Sequence, residues 1–458
     1  MASKATRWLR AEDVPPEVTE VLRRLGEAGH RSWLVGGVVR DLLLARERHD
    51  PGEFDLATPA TPDEVQRLFL KVIPTGIEHG TVTVLEGGAR VEVTTFRGEA
   101  EYLDGRRPSR VTFHGDLEAD LARRDFTMNA MAWDPLAHEL RDPFGGQGDL
   151  SRRRIRAVGD ARERFSEDGL RPLRAARFVS QLGFALAPAT RRAIPAALSV
   201  VAQVSRERVA EELSRLLVGP HAVKGLRTLA ETGLLAIVLP RLGALPPARI
   251  RHALAVASEP FPPCSRKGTG GDHRERCRLL RLAALLHVLP PEEALQSVVE
   301  LRLPNRIATA VVALSGARRG LDEGPLPGLD GGGAAIRRFL SAAGREHAPL
   351  ILDLWTADAR HQGPRSARRI AEVVRLRKGV SAELRRDPPL ALSDLVLGGK
   401  DVMEVLGTPV GKEVGEGLRH LLEVVLDDPA ANTRTTLSGH LRDWWRARRG
   451  GAQGSGGN

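Results

Sequence analysis

LVGGVVRDLLL at 34–44, with EFDLAT close behind at 53–58, decides how this chain is read. An apolar run, paired glycines and then apolar residues at helical spacing predict a strand over Trp33–Val35, a turn at Gly36 and Gly37, and a helix over Val38–Leu44 carrying Arg40 and Asp41. Glycines at a strand-to-helix turn let backbone N–H groups close on a phosphate, and the start of a helix adds positive potential there. A Gly-Gly pair alone is most often only a turn, so the second stretch matters more. In a strand over 53–58, alternate side chains share a face. Glu53 and Asp55 then point one way, and Phe54 and Leu56 the other. Two adjacent carboxylates repel each other unless a cation lies between them, and a rigid pair of hard oxygen ligands suits Mg²⁺. A phosphate turn followed by an acid-x-acid strand describes a nucleotidyl-transfer site. Two metal ions there would activate an attacking hydroxyl and neutralise a leaving pyrophosphate.

Further along, HGTVTVLEGGARVEVTTFR at 79–97 alternates Thr81, Val82, Thr83 and Val84, turns at Gly87-Gly88 and returns through Val91, Val93 and Thr95. It predicts a hairpin. Glu92 lies between Val91 and Val93 and faces away from them, so an apolar core on the valine side projects Glu92 into an open site.

These blocks resemble the polymerase-β-type nucleotidyltransferases, and within them the class II tRNA nucleotidyltransferases (CCA-adding) and bacterial poly(A) polymerases. The family form is G-G-x-V-R-D followed by D-x-D-x-A-T. Glu53 departs from it, keeping the charge of the first aspartate but moving the oxygens out by one methylene. HGTVTV resembles the CCA-adding branch, and the arginine-rich segment of the poly(A) polymerase branch is missing. The resemblance implies an α+β fold, with an N-terminal head of sheet and flanking helices followed by an all-α neck, body and tail. It implies addition of C and A to the tRNA 3′ end from CTP and ATP, with Mg²⁺ as cofactor and tRNA as partner. In that reading Glu53 and Asp55 hold the metals and Glu92 assists the 3′-hydroxyl. Gly36, Gly37 and Arg40 hold the triphosphate, and Arg124, in ARRDFTMNAMAWD (122–134), lies near the nucleotide. Asn129 is expected to tie down its own loop. Asp104, Arg106 and Arg107, in a polar Gly-rich stretch over 98–122, are expected to help orient the switch between nucleotides.

EDGLRPLRAARF at 167–178 carries the specificity reading. Ser166 is expected to cap a helix whose first turn holds Glu167 and Asp168. Asp168 and Arg171 would then be neighbours on one face, with Arg174 and Arg177 continuing the row along the nucleotide and Pro172 an awkward guest. Cytosine and adenine each offer an amino donor beside a ring-nitrogen acceptor; uracil and guanine offer the reverse order. A carboxylate beside a guanidinium therefore accepts C and A and rejects U and G. The family is known for this use of E-D-x-x-R, matched here at Glu167, Asp168 and Arg171.

The chain has 458 residues and a formal net charge of +10, with arginine far ahead of lysine. That length predicts several domains, and that charge fits a polyanionic partner. Two cysteines, Cys264 and Cys277, give no disulfide framework. No signal peptide and no long apolar run stand out, so the expectation is a cytoplasmic protein without a membrane partner; oligomeric state is not legible. The expected division is a catalytic head over 1–150, a neck over 151–240, a helical RNA-binding body and tail over 241–446, and a disordered end over 447–458.

Within the body, Pro/Gly/Ser-rich 259–276 is expected to be a loop, and Gly-rich 315–333 a linker. RLAALLHVLPPEEALQSVVELRLP (281–304) resembles a metal-dependent phosphohydrolase segment of the His-Asp type. Val288 follows His287 where the aspartate would stand, so His287 is read as a packed histidine and no phosphatase activity is expected. In the tail, Lys400, Lys412 and Arg419 are candidates to meet tRNA phosphates. Narrower activities, CC-only, A-only or poly(A) synthesis, are the nearest alternatives. A catalytically weak RNA-binding protein is the alternative of a different class.

Overall fold

The computed structural model describes residues 8–45, 53–96, 116–261, 271–316, 326 and 332–453. Asp104, Arg106 and Arg107 lie outside the described residues. Two compact units divide the chain, Met1–Gly243 and Ala244–Asn458.

The first unit opens with α1 (Pro16–Glu27), which buries Val18, Val21, Leu22 and Leu25, the apolar stripe its spacing predicts. β1 (Trp33–Val35) is buried along its length, and α2 (Gly37–Leu43) follows directly. After β2 (Glu53–Thr58) comes α3 (Pro62–Leu68). Thr61 caps it, and Glu64 reaches back to the Thr61 N–H at 2.8 Å, the reciprocal arrangement that TPDE forecasts. β3 (Val72–Gly76) precedes the hairpin of β4 (Thr81–Glu86) and β5 (Ala89–Thr95). Glu86 pairs with Ala89, leaving a two-residue loop in which Gly87 has φ +54° and Gly88 φ +91°. Such a loop requires positive φ at both positions, which glycine supplies without strain. The remaining elements are α4 (Leu117–Ala122), β6 (Ala132–Asp134), β7 (Glu139–Arg141) and α5 (Gly146–Ser151).

The seven strands form one mixed sheet in the order β3-β4-β5-β2-β1-β6-β7. β2 and β5 run parallel, and the other neighbouring pairs are antiparallel. The parallel pairing sets the register that matters most, with Asp55 directly opposite Glu92. Phe54, Leu56, Val91 and Val93 are buried on the other face.

Two further helices bear on the site: α6 (Ala161–Glu167) and α7 (Leu170–Leu182). Their boundary differs from the expected one. Asp160, not Ser166, caps α6 by accepting from the N–H groups of Arg162 and Glu163. The Ser166 hydroxyl instead donates back to the Glu163 carbonyl. Asp168 is extended (φ −146°, ψ 109°) and lies between the two helices. Pro172 is therefore the third residue of α7, within the first turn, where no backbone donor is needed and the ring breaks no hydrogen bond.

Downstream, Arg206–Leu217 is one helix, burying Val209, Leu213, Leu216 and Leu217. The segment 222–240 is two, Ala222–Glu231 and Leu234–Val238, broken where Gly233 takes φ +82°.

The second unit is helical. Its helices include Pro247–Ala257, Gly271–Leu286 and Ala348–Arg360. The expected loop over 259–276 thus gives way to helix from Gly271. Most of 315–333 lies outside the described residues. The final helix runs Arg434–Gln453, so 447–453 is helical where composition suggested disorder; 454–458 lie outside the described residues. Among the described residues no helix is long and apolar enough to cross a membrane.

Candidate active site

A cleft of about 560 Å³ opens at the Gly36–Gly37 turn and is lined by residues of β1, α2, β2, β5, α7 and the helix Arg206–Leu217. Gly36, Gly37, Arg40, Asp55, Glu92, Arg124, Asp168, Arg171, Arg174 and Arg177 all line it. Of the residues given a metal- or nucleotide-binding role in the head and neck, and lying within the described residues, Glu53 is not among those lining the cleft. Its backbone lies on β2 two residues before Asp55 and opposite Arg90, and its side chain is outside the described residues.

Gly36 is required by both conformation and space. Its φ is +75°, and a Cβ would lie 2.9 Å from Arg124 Nη1 and 3.6 Å from Asp55 Oδ2. The turn thus carries its backbone close to both a guanidinium and a carboxylate. Gly36→Ala is expected to cost roughly 1–3 kcal/mol in backbone strain and to displace Arg124. Initial-rate measurements should show KM for nucleotide raised by about tenfold or more, with the circular dichroism spectrum unchanged.

Below the turn a buried hydrogen-bond chain holds the cleft floor. Arg40, 9% exposed, donates from Nε and Nη2 to the Asp41 carboxylate, each at 2.9 Å, and from Nη1 to Asn129 Oδ1 at 2.7 Å. Asn129 Nδ2 donates to Asp125 Oδ1 at 3.0 Å, and Arg174 Nε donates to Asp125 Oδ2 at 2.7 Å. Arg40 therefore orders the turn as much as it offers charge to a ligand. Asn129 ties side chains together, not its loop backbone as the sequence suggested. The guanidinium carbons of Arg40, Arg174 and Arg177 lie 5.3, 5.5 and 4.1 Å from the Phe178 ring centroid, distances at which a cation is attracted to the ring face.

Burial opposes the Asp125 charge, but Arg174 and Asn129 outweigh it and hold the carboxyl below its usual range. A depressed folded pKa contributes stability that is complete above the unfolded value and is lost as pH falls through the folded one. Asp125→Asn should therefore destabilise the protein by about 3 kcal/mol at pH 7, and the gap to wild type should begin to narrow below about pH 4 and close as pH falls through the lower folded value. Thermal melts of both proteins across that window would measure it.

Burial draws Arg177 down to about 10, against the attraction of Glu212, whose Oε2 lies 2.6 Å from Arg177 Nε. It remains a cation at neutral pH. Arg124 donates to buried Asp120 from Nη2 at 3.1 Å, while its Nε is buried without a hydrogen-bond partner among the described residues. An unmade buried donor is costly, and a ligand oxygen in the cleft would satisfy it. Eight arginines against four carboxylates line the cleft, a balance that favours a highly charged anion.

At the far wall, Asp168 and Arg171 are held apart from each other and aimed by other partners. Asp168 Oδ1 accepts from the Leu170 N–H at 3.0 Å, and its carboxylate faces Arg208 Nη2 at 3.2 Å. Arg171 donates from Nη1 to Glu167 and to the Arg164 carbonyl (2.7 Å), and from Nη2 to the Arg123 carbonyl (2.9 Å). These contacts take three of its five N–H donors and fix its plane. Glu167 thus acts as a clamp on Arg171.

Arg123, Asp125, Arg208 and Arg215 also line the cleft and were not singled out. Arg208 and Arg215 are seven apart on one helix, two turns along the same face, with Glu212 between them. That i, i+7 spacing is the signal in the sequence that points to them.

Residues 32–156 match the family described as Poly A polymerase head domain, and residues 183–245 match the one described as Probable RNA and SrmB- binding site of polymerase A. A CCA-adding enzyme of Geobacillus stearothermophilus is 37% identical over 440 residues, covering 95% of this chain and 98% of the relative. That of Geobacillus kaustophilus is 38% identical over 429 residues, covering 92% and 95%. Among solved structures, the CCA-adding enzyme of Bacillus stearothermophilus in complex with CTP matches with a TM-score of 0.74 at 34% identity, over 96% of this chain and 100% of the other. A Thermotoga maritima CCA-adding enzyme complexed with tRNA shares the fold, with a TM-score of 0.63 at 20% identity over 94% of this chain and 97% of that one.

Proposed function

The chain belongs to the CCA-adding enzyme family, and from that premise we propose that Asp55, Glu92, Asp168 and Arg171 carry its reaction. The protein is a nucleotidyltransferase that adds C and A nucleotides to the 3′ end of tRNA from CTP and ATP. The observation that carries the assignment is the β2–β5 register: two acidic side chains face the same cleft from directly paired positions.

The family uses a divalent metal, and we assign Mg²⁺. Two carboxylates on rigid neighbouring strands, beside a cation-rich wall for phosphates, fit a hard ion that prefers oxygen donors. Glu53, two residues before Asp55 on β2, is assigned as the further acidic ligand. When bound, Mg²⁺ lowers the cost of forming the nucleophilic 3′-oxygen and screens the pyrophosphate charge. The rest belongs to the chain. Asp55 with Glu53 holds the ion, and Glu92 orients the 3′-hydroxyl. That oxygen attacks the α-phosphorus as the bond to pyrophosphate breaks. The Gly36–Gly37 turn and Arg124 hold the triphosphate, while Arg40, Arg174 and Arg177 supply positive potential.

The base is read by amino acids. Asp168 accepts from the exocyclic amino group of cytosine or adenine, and Arg171 donates to the ring nitrogen. Uracil or guanine would face each group with a like partner, leaving buried polar atoms unpaired at a cost of about 1–3 kcal/mol each. We assign residues 1–150 to the catalytic head, 151–240 to the neck and 241–446 to an RNA-binding body and tail in which Lys400, Lys412 and Arg419 meet tRNA phosphates. The reaction is assigned to the cytoplasm.

Incubating the protein with tRNA ending at the discriminator base, with CTP and ATP separately and together, tests the reading. Two C additions with CTP alone and a single terminal A once both are present support it. Addition that stops after CC, A addition alone, or a run of A residues would replace it with one of the narrower activities.

A further inference from the structure

Within the seven-stranded sheet the basic residues are Arg141, on the edge strand β7, and Arg90, on the interior strand β5. Arg90 lies two residues before Glu92. The two therefore share one face of β5, opposite Val91 and Val93, which are 0% and 1% exposed. Arg90 itself is exposed. Its backbone is held from both sides, opposite Glu53 on β2 and opposite Leu85 on β4. Half-buried Leu85 gives the arginine's aliphatic stem an apolar neighbour. No carboxylate among the described residues neutralises the guanidinium.

The position of Arg90 relative to the cleft decides what it can touch. Thr94, two residues after Glu92, lines the cleft; Arg90, two residues before it, is not among the lining residues. Glu92 thus has the space for an incoming nucleotide on one side and Arg90 on the other, about 7 Å along the strand. Strand order also separates Arg90 from the Gly36–Gly37 turn, because β1, which leads into that turn, and β5 flank β2 from opposite sides. Arg40, on α2, and Arg124, beside Gly36, are on the turn side and serve the triphosphate. Nucleotidyl transfer brings two anions together: the triphosphate, and the phosphodiester strand that ends in the attacking hydroxyl. The second has to arrive on the side of Glu92 that the first leaves open.

We propose that Arg90 binds the backbone phosphate next to the terminal 3′-hydroxyl of the tRNA acceptor strand and holds that end against Glu92. The inference rests on the assignment of Glu92 to the hydroxyl. A guanidinium offers paired donors that match a phosphate, and phosphate contacts fix the register of a strand without reading its sequence. That property suits this reaction. The terminal nucleotide changes from the discriminator base to C as addition proceeds, while the phosphate beside it is chemically the same at every step.

The test measures initial rates with CTP and full-length tRNA ending at the discriminator base, for wild type, Arg90→Ala and Arg90→Lys. A second tRNA carries a neutral methylphosphonate in place of its last internucleotide phosphate. Arg90→Ala is expected to raise KM for tRNA by about tenfold, the loss of one charge-assisted contact, and to leave KM for CTP unchanged. Arg90→Lys should recover part of that loss. The slope of log KM for tRNA against log salt should fall by about 0.7 in Arg90→Ala. The neutral phosphate should cost wild type about tenfold and Arg90→Ala nothing further. An unchanged KM for tRNA in Arg90→Ala, or a neutral phosphate that costs the variant as much as wild type, would overturn the proposal and leave the assignment of Glu92 standing. A rise in KM for CTP instead would place Arg90 on the triphosphate and overturn it equally. Glu92→Gln incorporating nucleotide at the wild-type rate would remove the assignment of Glu92, and this proposal with it.

Discussion

Replacing Asp55 by Ala is expected to lower nucleotide incorporation by about a thousandfold or more, ~4 kcal/mol in the barrier, while tRNA binding changes little. Asp55 faces the cleft directly opposite Glu92 and within 3.6 Å of where a Gly36 Cβ would stand. Removing a carboxylate that merely positions a metal ligand commonly costs 10–100-fold, so loss of the ligand itself must cost more. Asp55 is exposed on β2, so the fold should persist without its carboxylate. Binding to tRNA is expected to rest on basic surface and not on this carboxylate, so a filter-binding assay should separate the two effects. Equal incorporation by the variant would remove the metal assignment.

Exchanging the pair, Asp168→Arg with Arg171→Asp, is expected to reverse the preference for C and A over U and G, or at least erase it. Each mismatched contact is worth about 1–3 kcal/mol, so the ratio of kcat/KM values should move by roughly 10²-fold or more. The exchange carries a cost of its own. Glu167, which clamps Arg171, would face a new carboxylate, and Arg208, which faces Asp168, would face a new guanidinium. Overall activity should therefore fall together with the preference, and the informative quantity is the ratio among the four triphosphates. A preference left intact at lower activity would mean that other groups read the base.

Much of the head was legible because its signals are local. The Gly36–Gly37 turn, the TPDE cap and the Gly87–Gly88 hairpin each depend on a few adjacent residues with fixed backbone demands. The alternation around Asp55 and Glu92 correctly put both on the polar face. It did not give the parallel pairing that sets them side by side, because that register joins strands with the chain of β3 and β4 between them.

The α6–α7 junction was misread because Asp160 and Ser166 are both plausible caps, and the chain uses the earlier one. Pro172 held the deciding clue: a proline belongs in the first turn of a helix, so the helix had to begin close to it. Asp168 keeps its place in the cleft as the residue between two helices. The buried Arg40–Asn129–Asp125–Arg174 chain was not legible from spacing, since it joins residues from separate elements that only tertiary packing brings together.

The central claim is that two side chains take the place of a complementary base, and a structure of the protein with bound CTP tests it most directly. The account predicts the cytosine amino group within about 3 Å of the Asp168 carboxylate, and its ring nitrogen at the same distance from the Arg171 guanidinium. A cytosine whose Watson–Crick edge faces other groups or solvent, with Asp168 still on Arg208 and no base contact from Arg171, would contradict it.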